Sequence, residues 1–178
     1  MRLDDGSTIS LRLMTEGDAS QIVKFARALP EDDLLFLRTD ITNPRAVDEW
    51  VDNLRGGRTQ TIIAEAGGQF AGYASLHHNS VSWQRHLGEI RVQVGQRHRS
   101  KGLGRLLAGE VFQLARDLQL SRVVAQMTPD QKGAIATFQR LGFQLNALLQ
   151  DYVIDRSNRT RDLLIMGYDM SGHTDHLD

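Results

Sequence analysis

The most restrictive feature of the sequence is one stretch, residues 88–118, in which the hydrophobic period changes. Its first part alternates apolar and polar side chains, as a strand with two different faces does; the alternation sets Ile90, Val92 and Val94 against Glu89, Arg91 and Gln93. Its last part repeats apolar residues every three or four positions, which predicts one buried helix face; these residues are Leu103, Leu107, Val111, Leu114 and Leu118. The stretch therefore predicts a strand, a turn and a helix.

The predicted turn is basic and rich in glycine, GQRHRSKGLG over residues 95–104, with Arg105 directly after it. The first turn of a helix has N–H groups without intrahelical partners and a partial positive charge, so it suits phosphate oxygens. Gly102 and Gly104 let the backbone approach such an anion closely. Leu107 stands where a dinucleotide fingerprint needs its third glycine, and no Lys-Ser/Thr follows Gly104 as in a Walker A loop. We therefore expect a different phosphate ligand.

The spacing of four residues in this unit resembles a known signature. Val94, Arg99, Gly102 and Gly104 match V-x-x-x-x-[Q/R]-x-x-G-x-[G/A], the acyl-CoA signature of the GNAT superfamily of N-acetyltransferases. The strand, turn and helix around them are also the context in which that family uses the signature. The resemblance implies that the chain binds acyl-CoA.

A second segment, residues 130–143, resembles the later GNAT motif N-x-x-A-x-x-x-Y-x-x-x-G-F. Gln131 stands in the Asn position and Phe138 in the Tyr position. Gly142 is placed to end the helix in a left-handed conformation, so that Phe143 folds back onto the last turn. The two motifs occur in the family's order, and together they cover residues 88–143.

The rest of the pattern predicts the remaining elements. Helices are expected from Thr15 to Pro30, from Asn43 to Gly56 and over about 131–141, and strands over 8–14, 61–66, 69–76, 87–94, 122–127, 143–154 and 160–170. Residues 34–37 are apolar but short, and fit either helix or loop. The order resembles the GNAT topology, which implies an α+β (mixed α/β) fold with a mostly antiparallel twisted sheet of six to seven strands flanked by about four helices. We expect a single domain over residues 1–170 and a polar tail over 171–178.

Composition narrows the functional classes. The net charge is −1 and no aromatic residues interleave with the basic turn, so we expect no nucleic acid or membrane as a partner. The chain has no cysteine, which excludes disulfides, thiolate metal ligands and cysteine nucleophiles. The histidines show no metal-ligand spacing, so no metal site is expected. No targeting segment is visible, and we expect a cytoplasmic protein.

The resemblance implies acetyl-CoA as cosubstrate, and it assigns binding residues by position. In the family the strand before the turn pairs with the pantetheine arm through its backbone, and the turn and helix start hold the pyrophosphate. The implied binding residues are Val92, Gln93, Val94, Arg99, Ser100, Lys101, Gly102, Leu103, Gly104, Arg105, Gln131 and Phe138.

The catalytic groups are less well defined. Glu89 is the first candidate base, in a region where many family members carry a carboxylate; the alternative is an ion pair with Arg91. His77, His78 and His86 have suitable intrinsic pKa values. The family commonly uses a tyrosine as acid where this chain has Phe138, and the candidate substitutes, if the fold brings them to the sulfur, are Tyr152 and Tyr73.

The sequence thus predicts direct acetyl transfer from acetyl-CoA to a primary amine of a small molecule, peptide or protein. The alternative is a non-catalytic acyl-CoA-binding regulatory module, because phenylalanine cannot donate a proton. The closing hairpin, the two strands over 143–154 and 160–170, also offers a route to a homodimer, since it contains an edge strand.

Overall fold

A computed structural model of the chain describes residues 1–35 and 37–171, and it contains one sheet of seven strands. The strands are β1 Ser10–Leu13, β2 Thr59–Ala66, β3 Gln69–His78, β4 Leu87–Val94, β5 Arg122–Met127, β6 Gln144–Ile154 and β7 Thr160–Asp169. Their order across the sheet is β1-β2-β3-β4-β5-β7-β6. All neighbours are antiparallel except β4 and β5, which are parallel. The mostly antiparallel sheet expected from the sequence is confirmed.

Five α-helices flank the sheet over the described residues. They are α1 Ala19–Arg27, α2 Glu31–Leu35, α3 Pro44–Arg55, α4 Leu103–Asp117 and α5 Lys132–Arg140. The sequence left residues 34–37 open between helix and loop, and the short helix α2 covers residues 34 and 35 of this segment. Its first turn is acidic throughout, which favours a helix N-terminus after Pro30. Residue 36 and residues 172–178, most of the expected polar tail, lie outside the described residues.

The sheet separates two hydrophobic cores. On one face, α4 packs against the central strands, and Leu107, Val111 and Ala115 of this helix are fully buried there. On the other face, α1 and α3 pack against β2 and β3, where Trp50 contacts Tyr73 with ring centroids 4.9 Å apart. The indole N–H of Trp50 donates to Thr61 Oγ1 at 3.1 Å, which fixes α3 on β2. The alternating strand pattern thus supplies both cores.

Strands β4 and β5 separate soon after they meet. Only three residues of each strand are paired, and the last pair is Glu89 with Val124. Beyond it, β4 continues to Val94 beside β3, while β5 continues to Met127 beside β7. A fork therefore opens in the middle of the sheet, with unpaired strand edges on both sides.

No helix within the described ranges is long and apolar enough to cross a membrane.

A buried carboxylate joins β1 to the start of α1. Asp18 accepts from Arg12 Nη1 at 2.8 Å and Nη2 at 2.7 Å, and from the Thr15 N–H at 2.7 Å. Arg12 Nη2 also donates to Glu65 Oε1 of β2 at 2.7 Å. The hydrogen bonds from Arg12, supported by those from Thr15, lower the pKa of Asp18 to about 2 against the opposing effect of burial.

Replacing this carboxylate should destabilise the protein in a pH-dependent way. A carboxyl group whose pKa is lower in the folded than in the unfolded protein stabilises the fold at pH values above its unfolded pKa. For Asp18 this contribution is about 2 kcal/mol, and it is lost as the pH falls towards 2. We expect Asp18→Asn to lower the free energy of unfolding by about 2 kcal/mol at pH 7, with the difference from the unmodified protein shrinking below pH 4. Urea unfolding at a series of pH values measures this. A difference that stays constant down to pH 2.5 would contradict the assignment.

Candidate active site

The fork between β4 and β5 opens into a cleft of about 890 Å³. Its walls come from the free half of β4, the turn after it, the start of α4 and the facing side of α5. The cleft lies where two strand edges are unpaired, so an extended ligand can complete the sheet there. Unpaired backbone hydrogen-bonding groups face this cleft, which is typical of a ligand-binding site.

The pairing with β3 decides which backbone groups of β4 face the cleft. The Gly95 N–H donates to Ala71 O at 2.8 Å, so Gly95 points to β3. Successive residues of an antiparallel strand alternate in direction. Gln93 therefore also directs its N–H and C=O to β3, and Val92 and Val94 direct theirs into the fork. Of the three residues expected to contact a ligand through the backbone, Val92 and Val94 have the required orientation and Gln93 does not; Gln93 still lines the cleft.

The turn presents unpaired amides at the other end of the cleft. Helix α4 begins after Gly102, which has φ of +83°, and Ser100 has φ of +58°. The first bond of the helix is Leu106 N–H to Gly102 O at 3.0 Å. The N–H groups of residues 100–105 have no acceptor among the residues that the structure describes. Together with the helix dipole they form a site for phosphate oxygens, which agrees with the purpose inferred from the glycines.

Carboxylates surround this cationic turn. Arg99 donates to Val94 O at 3.2 Å and forms an ion pair with Asp33 of α2. Lys101 pairs with Asp5 at 2.9 Å and does not line the cleft. Asp4 lies beside Gly102, where an added Cβ would come within 2.9 Å of its carboxylate. The charge of Arg99 and Lys101 is therefore partly balanced in the free protein, and the unpaired amides are the stronger feature for an anion.

Helix α5 closes the far side of the cleft. Gln131 Oε1 accepts from the Thr128 N–H at 3.0 Å, which holds the turn that leads from β5 into α5. Phe138 is buried and lines the cleft, and it packs edge to face against Phe143 with ring centroids 4.9 Å apart. Gly142 has φ of +93°, the left-handed conformation that was expected at the end of α5. Phe143 folds back onto the helix, and its N–H donates to Phe138 O at 3.0 Å.

The cleft thus collects all the positions that the resemblance assigned to cofactor binding except Lys101. They are Val92, Gln93, Val94, Arg99, Ser100, Gly102, Leu103, Gly104, Arg105, Gln131 and Phe138.

Glu89 occupies the base of the fork but does not line the cleft. Its Oε1 accepts from Arg91 Nε at 3.0 Å and also forms an ion pair with Arg38. The ion pair with Arg91, which the sequence offered as the alternative to a catalytic role, is present. Two guanidinium groups share one carboxylate here, so the local charge is net positive.

A second, smaller pocket of about 180 Å³ lies on the other face of the sheet, beside β3 and β4. It is lined by Thr39, Ile41, Ala46, Glu49, Trp50, Asn53, Ser75, His77 and Arg91. Ser75 and Arg91 are register partners in the β3–β4 pair, so the strand pairing places them together. Sequence reasoning did not identify this pocket. The alternation puts Arg91 on the face of Glu89, but the register with β3 carries no sequence signal.

His77 is not suited to proton transfer. Its Nδ1 is 3.0 Å from Thr59 Oγ1 and its Nε2 is 2.9 Å from Ser75 Oγ, so both ring nitrogens are engaged. Burial, helped by the positive charges of Arg91 and Arg38, lowers the pKa of His77 to about 3. The ring is neutral at physiological pH and acts as a hydrogen-bonded spacer between β2 and β3.

The two candidate acids lie away from the cleft. Tyr152 is on edge strand β6, two strands from β5, and 65% of its surface is exposed. Tyr73 is enclosed between Phe25 and Trp50, and burial raises its pKa to about 12. Neither tyrosine lines the cleft. The structure therefore gives no support to Tyr152 as the acid. The sequence could not show this, because strand order cannot be read from residue spacing alone.

Comparisons with known proteins agree with this architecture. The model of the acetyltransferase (GNAT) family matches residues 22–143. The L-amino acid N-acyltransferase MnaT of Escherichia coli (strain K12) is 30% identical over 115 residues, which cover 64% of this chain and 66% of that protein. Mouse N-acetyltransferase 8F1 is 31% identical over 84 residues, 46% of this chain and only 38% of the mouse protein.

Solved structures show the same fold over nearly the whole chain. Ribosomal-protein-alanine N-acetyltransferase from Brucella melitensis superposes with a TM-score of 0.79 at 25% identity, covering 90% of this chain and 99% of the other. The yncA protein of Salmonella typhimurium, a putative acetyltransferase solved with its cofactor acetyl-CoA, gives 0.78 at 23% identity, covering 94% and 96%.

The seven-stranded forked sheet thus has the fold of these acetyltransferase structures. Because the family model matches more than half of its residues, the chain belongs to the GNAT family.

Proposed function

We propose that the protein transfers an acetyl group from acetyl-CoA to a primary amine of a small molecule, peptide or protein. The fork between β4 and β5 carries this proposal, because it offers strand edges and helix-start amides in one continuous cleft. The Salmonella neighbour solved with acetyl-CoA supports the cosubstrate. The names of the E. coli and Brucella relatives refer to different acceptors, an amino acid and a protein alanine, so they leave the acceptor open.

The residues of the cleft fit an acyl-CoA by chemistry. Val92 presents a backbone donor and acceptor, and Val94 a backbone N–H, to a pantetheine arm, whose amides need such partners. The carbonyl of Val94 already accepts from Arg99 Nε at 3.2 Å. The free N–H groups from Ser100 to Arg105 donate to the oxygens of a pyrophosphate. Each hydrogen bond to a charged oxygen contributes about 1.5–3 kcal/mol, so three or four supply much of the roughly 8 kcal/mol of a micromolar complex.

The reaction needs a neutral amine next to the thioester. Acetyl-CoA supplies a thioester carbonyl carbon, to which the amine nitrogen bonds as the C–S bond breaks and the thiolate leaves. In this proposal, a free N–H of β4 at the fork donates to the carbonyl oxygen and polarises it. Phe138 lines the cleft and donates no proton, so the proton for the thiolate comes from solvent. The ammonium proton leaves before the attack, through water or to Glu89, the candidate base. The nitrogen loses its second proton to solvent after the C–N bond has formed.

The position of Glu89 favours a different role. It lines neither the cleft nor the smaller pocket, and its carboxylate holds Arg38 and Arg91. We therefore infer that Glu89 positions these two guanidinium groups on the acceptor side of the fork.

A second candidate function is acyl-CoA binding without transfer, which Phe138 in place of the usual tyrosine favours. Binding and turnover must therefore be measured separately. The chain has no cysteine, so a chromogenic thiol reagent detects released CoA without background from the protein.

Acetyl-CoA binding should depend on the first turn of α4. Gly104 lines the cleft, so Gly104→Leu places a side chain where the phosphates are expected. We predict that this variant binds acetyl-CoA with a dissociation constant at least 100-fold larger, as measured by calorimetry. Gly109→Leu is the matched control, since Gly109 is exposed on the same helix with open space around it. Equal binding by both variants, with both folded by circular dichroism, would refute the proposed cofactor site.

Turnover by Glu89→Gln separates the two roles of this carboxylate. A positioning role predicts a rise in the acceptor KM of about tenfold with kcat within threefold, since the transfer step itself is intact. Loss of a base predicts a fall in kcat of about 100-fold or more and loss of the acidic limb of the pH profile. Steady-state thiol release at saturating acetyl-CoA distinguishes them, and the second pattern would restore Glu89 as the base.

A further inference from the structure

We propose that the acceptor is a free amino acid with a compact apolar side chain, and that Arg91 binds its carboxylate in the small pocket beside β4. The proposal rests on the proposed acetyl transfer and names the substrate class of that same site. The starting observation is a guanidinium group that lines a pocket and has unused donors.

Arg91 connects the pocket with the fork. It lies two residues beyond Glu89, the last residue of β4 that pairs with β5, so its backbone belongs to the diverging part of the strand. Its side chain lines the pocket on the face of α3. The proposal therefore places a molecule anchored at this guanidinium next to the point where the strands separate, with its amine towards the cleft.

The donors of Arg91 are only partly used. Nε donates to Glu89 Oε1 at 3.0 Å, and Glu89 also pairs with Arg38. Neither terminal nitrogen of Arg91 has a hydrogen-bond partner within residues 1–35 and 37–171. Two guanidinium groups facing one carboxylate leave an excess positive charge. A planar guanidinium with free terminal donors matches a carboxylate, which it binds through two parallel hydrogen bonds.

The remaining charges of the pocket fit a zwitterion. Glu49 of α3 contributes the one carboxylate among the lining residues, and it is exposed at the rim. His77 is neutral at physiological pH and adds no charge. One cationic and one anionic group suit a molecule with both an ammonium and a carboxylate better than a polyamine, which would need several carboxylates.

Size and wall chemistry define the rest of the molecule. The pocket volume of about 180 Å³ is below the roughly 300–1,000 Å³ typical of sites for drug-sized ligands. Ile41, Ala46 and Trp50 form apolar walls. The N-terminal residue of a protein has an amide where a free amino acid has its carboxylate, so Arg91 would gain no charged partner from it. These features select a free amino acid.

The test compares matched acceptors that differ only in the carboxylate. Thiol release from acetyl-CoA is measured with L-leucine, L-methionine and L-phenylalanine and with the three corresponding amino acid amides. We expect kcat/KM to be at least tenfold higher for each acid than for its amide. The amide has the less basic amine, so more of it is neutral, and intrinsic reactivity works against the expected preference.

Variants assign the preference to Arg91. Arg91→Gln should lower kcat/KM for the acids by about 10- to 100-fold, the value of a charged hydrogen-bonded pair, and leave the amides within threefold. Arg91→Lys keeps the positive charge but lacks the two parallel donors of the guanidinium, and it should retain part of the preference. Arg116→Gln, a control on exposed α4 surface, should change neither. Transfer with no preference for the acids, or a preference that survives Arg91→Gln, would overturn the proposal.

A binding experiment separates failure of this proposal from failure of the proposed transfer. Ligand-observed NMR compares N-acetyl-L-leucine with N-acetyl-L-leucinamide, which requires no turnover. Tighter binding of the acid, lost in Arg91→Gln, would establish the carboxylate site even if no acceptor is acetylated, and only the transfer proposal would then fall. Equal affinity for the two compounds would refute the carboxylate site.

Discussion

The structure depends on one departure from regular strand pairing, the separation of β4 and β5 after three paired residues. Buried backbone N–H and C=O groups must find partners, so a sheet that opens in its middle creates a demand that an extended ligand can meet. The flanking pairs hold the fork open, because β3 binds one side of β4 and β7 binds the far side of β5. The same separation leads β4 into the turn whose amides face the cleft.

Strand alternation lets β4 serve two sites at once. Its apolar side chains, including Ile90 and Val92, pack beneath α4, while Arg91 points to the opposite face and reaches the small pocket. Backbone groups of Val92 and Val94 remain for the cleft. A single strand of eight residues thus supports the core, borders the proposed cofactor cleft and supplies the charge of the proposed acceptor site. Glu89 connects these functions, because it fixes Arg91 at the base of the fork.

Local patterns predicted most of the fold, and long-range geometry limited the rest. The change of period at residues 94–103 located β4 and α4, and Gly142 marked the end of α5. The motifs likewise identified cleft residues, since each motif lies in one short segment, one at residues 92–105 and the other at 131–138. Register and strand order have no such signature: Arg91 meets Ser75 only through the β3–β4 pairing, and Tyr152 is separated from the fork by the intervening strand β7. The pocket and the distance of Tyr152 from the cleft therefore required the structure.

The central claim is that the open edge of β4 and the start of α4 bind acyl-CoA through their backbones. Residue-resolved amide hydrogen exchange by NMR, with and without acetyl-CoA, tests it most directly. The account predicts slower exchange at Val92, Val94 and the amides of residues 103–105 when acetyl-CoA is bound, and little change at Gln93, whose N–H already faces β3. Binding without protection at Val92 and Val94, or with protection confined to Gln93, would contradict it.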